Sequence, residues 1–131
     1  MTRDLKSNYA FAFLTNIATQ TDNTALTAKL TRVNANTTDT ILLLLGTIDD
    51  ADATFAATLT ESDDDVTYTT VNARDYSGTL TGMKFDSDNT IRAFSYWGLK
   101  KYVKLTVTPT GNTGNLTWGA ASVVGPGRVQ P

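Results

Sequence analysis

The sequence predicts an all-β protein, a single β-sandwich of about eight short antiparallel strands in a jelly-roll-like arrangement. Threonine is the most frequent residue, and Val, Ile, Tyr and Phe join it as side chains that pack well on a pleated surface. Period-two alternation recurs in short segments, and no stretch keeps apolar residues at helical spacing over several turns. Between the segments stand clusters of Asp, Asn and Gly, which tolerate left-handed backbone and close turns with their side chains.

Taken in order, residues 10–19 and 26–32 read as strands with less regular alternation. Residues 41–45 (Ile-Leu-Leu-Leu-Leu) are apolar throughout and bounded by Thr40 and Gly46. Such a run means either a strand covered on both faces or one whose outer face meets a partner. Phe55, Ala57 and Leu59 then alternate with Thr54, Thr58 and Thr60, and residues 66–71 supply a further strand. Residues 72–78 suit one short helical turn closed by Gly78. In residues 91–96, Ile91, Ala93 and Ser95 alternate with Arg92, Phe94 and Tyr96. With the first set facing inward, the two aromatics form either a contact surface or the packing of the second face. Val103, Leu105 and Val107 face the core opposite Tyr102, Lys104, Thr106 and Thr108, in a strand expected to end at Pro109. Leu116, Trp118 and Ala120 open the last strand, which runs on to Val124, with Trp118 on the packing side.

The chain has 131 residues, enough for one core and one domain. That domain is expected over residues 9–124, with a flexible arm at 1–8 and a loose tail at 125–131. The absence of Cys removes disulfides and thiolate chemistry, and the absence of His removes the commonest general base and metal ligand. A net charge of −2 gives no electrostatic footprint for nucleic acid. No apolar run approaches the roughly 20 residues of a membrane helix, and no signal-peptide pattern opens the chain, so a cytoplasmic site of assembly is expected.

Carboxylates are the plentiful chemical groups. Asp63, Asp64 and Asp65 follow Glu61, Asp49, Asp50 and Asp52 form a second cluster, and Asp86 and Asp88 a third. None has the glycine and closing glutamate of a calcium-binding loop, and solvated turns are the simpler reading. Glu61, read as part of an exposed loop, lacks the apolar pocket that would raise a catalytic acid's pKa. Arg92, Lys100, Lys101 and Lys104 lie near one another in sequence, as a docking patch or as solvated edge charges. No cofactor, metal or catalytic residue is expected, and the chain reads as a non-enzymatic binder of protein surfaces.

Residues 57–71, with Glu-Ser-Asp-Asp at 61–64 between two strands, resemble a hairpin of tailed-bacteriophage head decoration (capsid cement) proteins. Residues 97–108 resemble a later segment of the same proteins, and a Gly-containing turn with a Val-rich last strand follows at 111–124. The resemblance spans roughly residues 41–124. It implies a virion structural protein on the outer capsid surface, assembled in the host cytoplasm, bridging major capsid protein subunits and often trimeric. In that reading Arg3 and Lys6 in the arm, Trp97 at a turn and Arg128 in the tail touch the partner. A carbohydrate-binding or receptor-contact module, with a platform of Tyr96, Trp97 and Tyr102, is the alternative, and a head-completion or tail structural protein a further one.

Overall fold

The computed structural model describes residues 10–33 and 37–124. The arm, the tail and Arg3, Lys6 and Arg128, expected from sequence to touch a partner, lie outside the described residues. The strands are β1 (Ala10–Gln20), β2 (Leu26–Thr31), β3 (Asp39–Ile48), β4 (Thr54–Ser62), β5 (Thr69–Thr70), β6 (Tyr76–Ser77), β7 (Met83–Lys84), β8 (Thr90–Tyr96), β9 (Tyr102–Thr110) and β10 (Leu116–Val124). One sheet has the order β1-β10-β3-β8-β6, the other β2-β9-β4-β5 with β7 also on β4. Every pairing is antiparallel. Pairing is nested, first strand with last, second with last but one, third with β8, which is the doubled-over hairpin of a jelly roll. Among the described residues ten strands form where about eight are expected: residues 66–71 contribute only the two-residue β5, and two further two-residue strands, β6 and β7, add to the count.

The core lies between the sheets and follows the alternation. Val103, Leu105 and Val107 of β9 meet Leu26, Ala28 and Leu30 of β2 in register, all buried. Across the gap stand Ile41, Leu43 and Leu45 of β3 with Leu116, Trp118 and Ala120 of β10. Each such large apolar side chain stabilises the fold by roughly 1.5–3 kcal/mol through burial. Trp118 also packs on Phe55, ring centroids 5.9 Å apart.

Several expectations need correction. The inner face of β8 is Phe94 and Tyr96, both buried, whereas Ile91 is exposed on the outside. Both phases of that strand are apolar enough to face inward, and the larger pair fills the space between the sheets. Strand β9 runs through Pro109 to Thr110; β2 pairs only as far as Val107, so one flank of β9 carries no ladder at the proline. The helical turn is a single 3-10 turn, Ala73–Asp75, with Asn72 Oδ1 accepting from the Arg74 amide at 3.1 Å. It passes directly into extended Tyr76, and Gly78 instead follows β6 with φ +125.

Strand β1 is an edge strand, and register shifts between Phe13 and Thr15 and between Thr15 and Ala18 break its alternation. The second shift carries β1 over Gly119. A Cβ there would stand 2.9 Å from Ile17 Cα and 3.0 Å from Ile17 N. Gly119→Ala is therefore expected to displace β1 and to destabilise by about 1–3 kcal/mol, read as a lower denaturant midpoint at unchanged m-value.

A candidate partner-binding corner

At one end of the sandwich the turn between β8 and β9 carries Trp97, 43% exposed, and Leu99, 78% exposed. Val33, just after β2, is 93% exposed, and Arg32, Val33, Leu99, Lys100 and Lys101 line one shallow depression with Asp63. The backbone beneath these exposed apolar side chains is firmly held.

Its anchor is Arg32, whose side chain is buried against that of Asp39. Arg32 Nε donates to Asp39 Oδ2 at 2.8 Å, and the Thr37 hydroxyl donates to the same oxygen at 3.0 Å. The remaining guanidinium nitrogens reach backbone carbonyls: Nη1 to Gly98 O at 2.6 Å and Lys100 O at 3.0 Å, Nη2 to Thr37 O at 2.6 Å. The planar fork thus ties the 97–101 turn to the start of β3. The guanidinium also lies over the Tyr96 ring, 4.8 Å from its centroid. The Tyr96 hydroxyl donates to Glu61 Oε1 at 2.6 Å and accepts from the Lys100 amide at 3.2 Å. Burial, reinforced by the Glu61 carboxylate, pushes that hydroxyl's pKa well above the usual tyrosine value. Glu61 is therefore a residue of β4 that receives a buried phenol, not part of an exposed loop.

Trp97 is fixed at both polar ends. Its amide donates to Asp75 O at 2.9 Å and its indole N–H to Arg74 O at 2.8 Å, leaving the ring face outward. Of the three rings proposed for a sugar platform, Tyr96 is 1% exposed and Tyr102 half-buried, so only Trp97 offers an open face. The four basic residues have separate partners, Lys101 lying 5.5 Å from the Tyr102 ring centroid. Arg92 donates to Thr79 O and Thr81 O, Lys100 pairs with Asp63 at 2.7 Å, and Lys104 lies 3.9 Å from the Tyr68 ring centroid.

The acidic loops close turns. Asp50 accepts from the Thr113 amide and hydroxyl and from the Asp52 amide, while Asp49 accepts from Asn115, so the β3–β4 and β9–β10 loops are laced together. Among the described residues no three acidic side chains converge as a metal site. Asp64 accepts from the amides of Val66 and Thr67 and from the Ser62 hydroxyl. The Thr67 amide first, then that of Val66, holds its carboxyl down at about 2, below the ordinary 3.8. With the folded value depressed, this contribution to stability is present above pH 3.8 and is lost as pH falls through about 2. A carboxyl-detected NMR titration is expected to place Asp64 near that lower value, and Asp64→Asn to flatten the acid limb of the stability curve. A midpoint at the ordinary value would refute the bonding.

No family model, curated protein or solved structure matches this chain. The fold and the corner define it as a jelly-roll sandwich with a preorganised apolar turn.

Proposed function

We propose that the chain is a structural protein of a bacteriophage virion, decorating the outer capsid surface and stabilising the shell by bridging major capsid protein subunits. The observation that carries this reading is the rigid corner, where Trp97, Leu99 and Val33 stand out above a turn tied down by Arg32. Apolar side chains held in place before contact lose little freedom on docking, and a tryptophan is the side chain best suited to anchor such a contact. The resemblance of residues 57–71 and 97–108 to capsid cement proteins supplies the partner class. In this reading the mechanism is passive. No bond is made or broken; each copy adds buried interface, and engagement of neighbouring subunits makes weak contacts act together. In this reading Arg3, Lys6 and Arg128 also touch the partner.

Quantitative mass spectrometry of purified particles tests it. The expected result is many copies distributed over the shell, in a number set by capsid geometry. Trp97→Ala is expected to weaken decoration by about tenfold or more while leaving the fold intact, because the indole ring packs outside the core. Absence from the shell discards the proposal. A ring at a single vertex also discards it, in favour of a head-completion or tail component.

A further inference from the structure

The two outer faces of the sandwich differ in kind. The outward positions of β2, β9 and β4 carry threonines, Lys29, Lys104 and Tyr102. The outward positions of β1, β10, β3 and β8 carry no charged side chain: Asp39 and Arg92 have inward parity, the first buried, the second bonded to the loop at Thr79 and Thr81. In their place stand exposed Phe11, Phe13, Ile17 and Ile91, with half-buried Leu42 and Leu44 between them. Strand spacing and rise give this face a footprint of about 20 Å by 20 Å. A face of that size lies at the low end for specific interfaces, whose standard size is about 800 Å² per partner. A patch of this size and composition marks a contact surface.

We infer that this face packs against the same face of a second copy, about a two-fold axis running along the strands between β10 and β3. The register carries the argument. One row across the sheet reads Phe13, Ala121, Leu42, Ala93. The two-fold lays it over itself in reverse, so Phe13 faces Ala93 and Leu42 faces Ala121, large on small at every position, as interdigitating sheets require. In the next row Ile17 stands over Gly119, and Ile17, Leu44 and Ile91 line a groove with Leu44 between the two isoleucines. The same operation seats the Ile17 of each copy in the groove of the other. Self-apposition also juxtaposes no like charges here, whereas the opposite face would bring Lys29 and Lys104 toward their own copies. The contact is two-fold, in contrast to the trimer implied by the capsid-cement resemblance, and it does not depend on the capsid reading, since the purified chain alone tests it.

Sedimentation velocity over a concentration series is expected to show a monomer–dimer equilibrium with a Kd of about 10 µM or tighter. Phe13→Ala and Ala93→Phe, both at solvent-facing positions, should each weaken the dimer by about tenfold or more, and the double swap F13A/A93F should recover most of the loss. Ile17→Lys brings two ammonium groups together beside the axis and should abolish dimerisation, with the circular-dichroism spectrum unchanged. A monomer at every concentration overturns the inference. So does a dimer indifferent to the single variants, or a double swap weaker than either one.

Discussion

Replacing Arg32 with methionine is expected to remove about 3–5 kcal/mol of stability, because it strands the Asp39 carboxylate in the interior without its counter-charge. Both side chains are buried, at 1% and 0% exposure, and Asp39 Oδ1 has no hydrogen-bond donor among the described residues. Three carbonyls, those of Gly98, Lys100 and Thr37, lose their donor in the same substitution. Arg32→Met combined with Asp39→Leu should regain part of the loss, since the buried charge is then gone. What remains measures the guanidinium's hydrogen bonds and its stacking on Tyr96 at the corner. Denaturant melts give the energies, and faster amide exchange at Lys100, whose N–H rests on the Tyr96 hydroxyl, should accompany them. A loss below about 1 kcal/mol would put the pair among surface ion pairs and remove the physical basis for a rigid corner.

That anchor was within reach of the sequence, although charge alone hides it. Leu26, Ala28 and Leu30 set an inward phase that Arg32 continues, and Ile41, Leu43 and Leu45 set one that extends back to Asp39. Two opposite charges in the inward register, at adjoining ends of consecutive strands, are the signature of a buried pair. The default assumption that Arg and Asp mark loops conceals it. Where one phase is apolar and the other is threonine or lysine, as in β9, alternation assigned the faces without ambiguity. It is ambiguous in β1, where bulges shift the phase, and in β8, where each phase mixes apolar with polar side chains. The leucines of β3 have the same origin as the reversal in β8. Leu43 and its inward neighbours fill the core, while Leu42 and Leu44 continue the uncharged outer face with Ala93 and Ile91. Trp97 reads from sequence as a contact residue, but the carbonyls that accept from its indole and its amide belong to Arg74 and Asp75, in a 3-10 turn distant in sequence.

Strand β8 yields the second large effect. Phe94→Ala should cost about 3–5 kcal/mol, whereas Ile91→Ala, three residues away, should change the stability of the monomer by less than about 1 kcal/mol. Phe94 is 1% exposed and lies between the sheets; the Gly78 backbone passes so close that a Cβ there would stand 2.6 Å from Phe94 Cδ1. That fit leaves the neighbours little freedom to collapse into the space left by the ring, and incomplete collapse puts the loss toward the upper part of the range. Ile91 is 65% exposed, so its truncation removes little buried area within one chain. Thermal melts at low protein concentration should separate the two, with a fall of about 10–20 °C for Phe94→Ala and a few degrees at most for Ile91→Ala. A larger loss for Ile91→Ala than for Phe94→Ala would mean that the strand presents its faces the other way round. Phe94 and Tyr96 would then lie outside, Tyr96 could not receive the Arg32 guanidinium or reach Glu61, and the corner that presents Trp97 would lose its support.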